Sequence, residues 1–256
     1  MDDRLLETKQ AFQSPQWYFQ KLAYHVRIRI ETVTEFLNGA KFDRILDIGC
    51  GDGSISLPLL TKDNRLTLLD MSEGMLARAR SRIPVCQLDR VEILNDDFMS
   101  TRLESNSYNL IVCIGVLAYI DPVKPFLEKL SSLLKPGGKL IIEWTDGYHF
   151  VSRLFRPYHK LMNVFVTPKV QLSIHRSATI VDGLRELGFE VQGSYQYCSP
   201  LPVVRRLLSQ DTNFQMIRKM HGNVQRNRAA WLGEECIYHF RKTSPHAPPN
   251  QDDPIR

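Results

Sequence analysis

Five short apolar runs, "RILDIG", "LTLLD", "VEIL", "YNLIVCIGV" and "GKLIIEW", follow one another between Arg44 and Trp144, separated by helical patterns such as "SEGMLARARSRI" and "PVKPFLEKLSSLLK". Strands buried on both faces and joined through helices imply an α/β fold with a parallel sheet, because each parallel pair needs a long crossover. A chain of 256 residues with 43% hydrophobic side chains can bury the core that such a sheet requires. Ahead of the sheet, Leu22, Val26, Ile30, Val33 and Leu37 recur at helical spacing and predict an amphipathic helix over residues 16–38, stopped by Asn38-Gly39. The helix before the fifth run reads Asp121 as N-cap, Pro122 at its first position and Lys135 in its last turn, then Pro136-Gly137-Gly138. "SATIVDGLRELG" reads as a helix with Ser177 as N-cap and Gly188 past its end, and "GFEVQGSYQY" and "EECIYHFRK" read as later strands. Pro58 should bend or shorten any helix that follows the first strand.

That first strand runs into "DIGCGDG", three glycines at alternate positions interleaved with Asp47 and Asp52. A glycine-rich turn after a strand usually cradles a phosphate on bare backbone N–H groups. The dinucleotide pattern G-x-G-x-x-G is met only by Gly49 and Gly51, since Ser54 holds the sixth position. Asp70, closing the second strand, is placed to accept hydrogen bonds from a ribose, whereas Asp47 and Asp52 would repel a pyrophosphate. A ligand with a ribose, a positive charge and no phosphate fits, and S-adenosylmethionine (SAM) is one.

With "LDIGCGDG", "LLDMSEGML", "VEILNDDF", "YNLIVCIGVLAYI" and "LLKPGGKLIIEW" standing in order, the chain resembles the class I SAM-dependent methyltransferases of small-molecule type from about Tyr18 to Trp144, and more loosely in its last strand. The resemblance implies a Rossmann-like seven-stranded sheet, mostly parallel with an antiparallel last strand, with an N-terminal helical lid and a helical cap insertion. It divides the chain into a lid at residues 1–40, a SAM-binding domain at 41–242 with cap elements within 146–175 and 200–231, and a polar, Pro-rich tail at 243–256 expected to be disordered.

Carried over residue by residue, the resemblance gives Gly49 and Gly51 close approach to the cofactor and sets Asp47 toward its methionine ammonium, directly or through water. Asp70 takes the ribose hydroxyls, and Asp97, with Asp96 as competitor, accepts from the adenine amino group beside Phe98. Met71 and Met75 flank the nucleoside, and Cys113, Ile114 and Gly115 lie beneath the methionine. Trp17, Tyr18 and Phe19 head a helix expected to close over the cofactor, leaving a folded chain when residues 1–24 are removed. Hydroxyl, amine and carbon acceptors benefit from a positioned base; the candidates are Tyr119, His149 and His175, with Tyr148 and Arg176 for the substrate. Quinone-type relatives carry a stretch like "VLEH" after the fourth strand, where this chain has "VLAY" at Val116–Tyr119, so the acid and histidine expected for such an acceptor are missing.

Charge narrows the acceptor. Residues 151–231 hold twelve Lys/Arg against four Asp/Glu, which favours a small anionic acceptor. The amino-directed motif of nucleic-acid methyltransferases is absent where "CIGVLAY" stands, so no nucleic acid is expected. RNA or protein methylation, and a protein that uses SAM as a sensor or for other chemistry, stay as alternatives, because fold and cofactor site do not fix the reaction. The five cysteines have no metal-binding spacing, so no metal is expected, and the absence of a spanning stretch and of a basic, apolar leader points to the cytoplasm.

Overall fold

In a computed structural model, the structure describes residues 16–154, 173–198 and 207–243, with side chains in the first helix from Ala23 onward. The sheet strands are β1 (Arg44–Ile48), β2 (Arg65–Asp70), β3 (Val91–Asn95), β4 (Tyr108–Cys113), β5 (Leu134–Thr145), β6 (Phe189–Tyr197) and β7 (Glu235–Lys242). They lie side by side in the order 3-2-1-4-5-7-6. Pairs among β1 to β5 are parallel, while β7 runs antiparallel to both β5 and β6. The expected Rossmann-like sheet, with its antiparallel last strand, is therefore present. Strand order reverses between β1 and β4, and that crevice is where open α/β sheets take their ligands.

Helices α1 (Gln16–Leu37), α2 (Glu73–Arg82) and α5 (Gln210–His221) cover one face; α3 (Val123–Leu133) and α4 (Ser177–Glu186) cover the other. Tyr24, Ile28, Val33 and Phe36 of α1 pack with Phe214 and Ile217 of α5 and with Ile45, Leu110 and Tyr195 of the sheet. Phe126 and Leu130 of α3 and Ile180 and Leu184 of α4 fill the opposite side. Helix α1 is thus a layer of the core as well as a cover: Tyr24, within the segment expected to be removable, is 1% exposed. Helix α5, expected as part of a cap, seats on α1 through Arg27 to Asp211 (2.9 Å) and Arg218 to Glu31 (2.9 Å) and Glu35, and Val224 N–H donates to Glu35 at 2.9 Å. The rest of the cap, residues 155–172 and 199–206, and the tail from 244 lie outside the described residues, as do the side chains of Trp17, Tyr18 and Phe19.

Pro58 shortens its helix further than expected, and both ends of α3 and the start of α4 differ from expectation. Pro58 reduces the segment after the glycine turn to one 3-10 turn, Leu57–Leu59, since a proline ring there leaves no room for a continuing helix. Pro122, not Asp121, is the N-cap of α3, and Lys135 belongs to β5 because α3 ends at Leu133. Arg176 caps α4, with Ser177 already helical. Ser72 caps α2 as its sequence suggests, its hydroxyl accepting from Met75 N–H at 3.2 Å. Among the described residues no helix is long and apolar enough to cross a membrane.

Candidate functional site

The carboxyl ends of β1 to β5 and the start of β7 surround a cavity of about 350 Å³, to which α1 adds His25, Val26 and Arg29. Its two halves differ in chemistry. The half over β1, β2 and β3 is walled by the glycine turn, Asp70, Met71, Met75, Asp97 and Phe98; the half over β4, β5 and β7 is walled by Ile114 to Val116, Ala118 to Ile120, Glu143 to Thr145 and Glu235.

In the first half, β1 stops at Ile48 because Gly49 turns left-handed, with φ +67°. A Cβ there would lie 2.4 Å from Val116 Cγ2, so only glycine lets the turn and the chain after β4 approach this closely. Gly49 and Cys50 both donate N–H bonds to Leu69 O, at 2.8 and 3.1 Å, which ties the turn to β2. Asp70 then accepts from Gly51 N–H and Ser72 N–H, each at 2.8 Å, one on each oxygen. Burial raises its pKa, with the backbone donors pulling the other way. Each carboxylate oxygen has a second acceptor direction, so Asp70 can still take a pair of hydroxyls.

Of the two neighbouring acids after β3, Asp96 is committed. It accepts from Thr101 Oγ1 at 2.8 Å, Asp97 N–H at 2.8 Å and Ser100 Oγ at 3.3 Å, and these donors, Thr101 first, hold its pKa below the usual carboxylate range. The carboxylate of Asp97 makes no hydrogen bond among the described residues and lines the cavity, so it is the one available to a ligand. Asp52 lines the cavity too, but Arg82 of α2 pairs with it, and Ser54 donates to it from N–H at 3.1 Å.

Asp47 is on no cavity wall. It points to the α1 side of the sheet, opposite to Leu46 and Ile48, and is 2% exposed beneath the turn. Burial pushes its carboxyl from 3.8 up to about 7, with the nearby Ser56 hydroxyl subtracting and Asp70 and Asp52 adding, although neither Asp47 Oδ2 nor Ser56 Oγ has a hydrogen-bond partner among the described residues. Because the folded value lies above the unfolded one, the native state binds more protons between those values and loses stability as pH rises from about 4 to 7. Asp47→Asn should flatten that slope and make the ligand-free protein more stable than the parent above pH 7. Thermal melting at pH 5 and pH 8 checks this, and parallel curves for the two proteins would show that Asp47 keeps its charge when folded. Cys113 is likewise off the wall, 0% exposed among Leu46, Ile48 and Ile111, while its neighbour Ile114 reaches the cavity.

Tyr119, in the 3-10 turn after β4, lines the second half of the cavity. Tyr148, His149, His175 and Arg176 do not, because they join the end of β5 to the start of α4. Asp146 organises that joint, accepting from Tyr148 N–H at 2.9 Å and Ser177 N–H at 3.2 Å. His175 is 9% exposed and donates Nε2–H to Leu117 O at 2.9 Å; His149 donates to Trp231 O at 3.1 Å and accepts from Val151 N–H at 3.3 Å. The Arg176 guanidinium lies 4.4 Å over the Tyr148 ring. These side chains have structural partners, which explains why a histidine or tyrosine in a loop is a weak signal for a base. The basic side chains expected to meet an anion are also off the wall where they are described, as Arg153 and Arg176 are, and Arg156, Lys160, Lys169, Arg205 and Arg206 lie outside the described residues.

The residues that sequence reasoning missed are in the second half. Arg29 Nε donates to Glu143 Oε1 at 2.9 Å and its Nη2 lies 2.8 Å from Oε2; Glu143 is 2% exposed. Tyr197 OH donates to Glu143 Oε1 at 3.5 Å and stands 3.0 Å from His25 Nδ1. Burial first and Glu143 second push the Tyr197 phenol well above its usual range, so it stays protonated. Arg29 is the one Lys or Arg on the described cavity wall. A carboxylate inside an otherwise apolar strand, "LIIEW", was the available clue, because a buried acid requires a partner.

The residues present suit SAM better than a dinucleotide. The turn is lined by acids, no α-helix starts directly behind it to favour a phosphate, Asp70 and Asp97 are acceptors spaced across two strands, and an arginine, Arg29, stands on the wall.

The chain is similar in sequence and fold to known proteins. Residues 45–138 match the family model of a methyltransferase domain. A ubiquinone/menaquinone biosynthesis C-methyltransferase from Cereibacter sphaeroides is 25% identical over 216 residues, spanning 83% of this chain and 79% of that protein. An uncharacterised protein of Methanocaldococcus jannaschii is 28% identical over 166 residues, 62% of this chain but only 43% of the relative's length. Among solved structures, the magnesium protoporphyrin IX methyltransferase of Synechocystis, with S-adenosylhomocysteine bound, superposes with a TM-score of 0.63 at 16% identity, over 94% of this chain and 100% of that one, a likeness of fold.

Proposed function

We propose, from the premise that this chain is a class I SAM-dependent methyltransferase, that it methylates a small molecule whose reacting end enters the cavity half between β4, β5, β7 and α1. The observation that carries the reading is the division of the cavity. One half supplies nucleoside acceptors at Asp70 and Asp97; the other is a small chamber with its own polar groups. A cavity of about 350 Å³ is near the lower end of the roughly 300–1,000 Å³ usual for small-molecule sites. Such a chamber has room for the cofactor and the reacting end of an acceptor.

When bound, SAM supplies a methyl group on a positively charged sulfonium, ready for in-line displacement. The protein's part is binding, orientation and exclusion of water. Asp70 accepts the ribose hydroxyls and Asp97 the adenine amino group, with Met71, Met75 and Phe98 against the nucleoside. As the cation of the wall, Arg29 takes the methionine carboxylate while keeping its pair with Glu143. Asp47, under the turn, supports this end without direct contact. Tyr119 borders the acceptor.

An anionic far end on the acceptor accords with the basic composition of residues 151–231, whereas the cavity wall itself holds acids. The quinone precursors of the Cereibacter relative are a poorer fit, because Ala118 and Tyr119 stand on the wall where an acid and a histidine are expected for such substrates. Incubation with methyl-labelled SAM and separate pools of metabolite extract, RNA and peptides tests the reading. Label should enter the small-molecule fraction; label in RNA or peptide alone, or in none, would replace it with one of the other two functions.

A further inference from the structure

Glu235 has no place in the cofactor contacts above. It is the first residue of β7, in register with Thr145, the last of β5, and both line the acceptor half of the cavity. Thr145 Oγ1 donates to Glu235 Oε2 at 2.9 Å. No ion pair reaches Glu235 among the described residues; the nearby cation, Arg29, pairs with Glu143. The side chain is partly buried and lines the cavity. A carboxylate held there by a single hydroxyl has acceptor capacity left over, aimed at whatever fills the chamber.

We infer that Glu235 faces the methyl group being transferred and takes the proton that an amine or hydroxyl acceptor gives up. The inference rests on the proposed methyl transfer. The acceptor's lone pair forms a bond to the methyl carbon; the carbon–sulfur bond breaks and its electron pair returns to sulfur. The acceptor's proton passes to the Glu235 carboxylate, so the positive charge of the sulfonium is cancelled by the carboxylate becoming neutral. Burial, followed by the negative charge of Glu143 on β5, pushes the Glu235 carboxyl up from 4.5 to about 8, with Glu234 adding and Arg29 of α1 and the Thr145 hydroxyl opposing. A base poised near neutral pH suits proton removal from such acceptors.

The acceptor need not be known to test this. Sinefungin carries an amine-bearing carbon in place of the methyl sulfonium, so its ammonium stands where the methyl would be, while S-adenosylhomocysteine has nothing there. Both are titrated by calorimetry against the full chain and against Glu235→Gln, which keeps the side chain's shape and its bond to Thr145. The variant should bind sinefungin about 10- to 100-fold more weakly, the loss of one charge-assisted hydrogen bond, and S-adenosylhomocysteine within about twofold of the parent. Retained S-adenosylhomocysteine binding also shows that the variant folds. Equal weakening of both ligands, or of neither, overturns the role of Glu235 and leaves the methyl-transfer reading standing. If the parent chain binds neither ligand, that reading falls, and the inference with it.

Discussion

Replacing Arg29 by alanine is expected to lower the free energy of unfolding by about 3–5 kcal/mol, the cost of leaving one partner of a buried pair uncompensated. Glu143 is 2% exposed, near the carboxyl end of β5 among apolar neighbours, and both of its oxygens lie within 3 Å of the guanidinium, at 2.9 and 2.8 Å. Its other neighbour, Tyr197 OH at 3.5 Å, is neutral and too long a contact to replace them. Arg29→Lys should recover only part of the loss, since an ammonium cannot reproduce the planar fork. The double variant Arg29→Met, Glu143→Leu should be more stable than Arg29→Ala, because it removes the stranded charge. Urea unfolding followed by circular dichroism measures all three. A loss below about 1 kcal/mol for Arg29→Ala would place the pair with ordinary surface ion pairs and remove α1 from the architecture of the site.

Asp70→Ala should weaken SAM binding by about 10- to 150-fold, since hydrogen bonds to a charged acceptor contribute roughly 1.5–3 kcal/mol. Stability should fall as well. Asp70 holds Gly51 N–H and Ser72 N–H, and alanine leaves both donors without their partner at the point where the glycine turn meets the start of α2. The two effects separate by experiment: the affinity loss is read by calorimetry at a temperature where circular dichroism shows the variant folded. Undiminished affinity in a folded variant would limit Asp70 to anchoring the turn.

The first five strands, the glycine turn and Asp70 could be read from the sequence because each is a local signal. Alternating apolar runs report a sheet, and an acid at a strand end reports a carboxylate at the sheet's edge. Asp97 was preferred to Asp96 on the motif alone; the physical reason, that Thr101 and Ser100 occupy Asp96, is a tertiary fact that no sequence pattern carries. The Arg29–Glu143 pair joins residues 114 apart in sequence, and periodicity tells which face a residue takes without telling what meets it there. The same limit applies to Glu235, whose position in the cavity depends on β7 lying beside β5. His175 shows the converse error: a histidine near the expected mouth looked like a base, and a single backbone carbonyl, Leu117 O, explains it. Pro58 was legible in kind and understated in degree.

The anchoring of α1 on α5 also fixes when the protein can become itself during synthesis. Glu31 and Arg218 are 187 residues apart, and at roughly 5–20 residues per second a ribosome needs about 10–40 s to deliver the second after the first. For that interval α1 lacks the half of its seat that α5 provides, and β7, which inserts between β5 and β6, comes later still. Until α5 is made, the apolar stripe of α1 is therefore incompletely covered, the kind of surface a chaperone at the ribosome exit would hold.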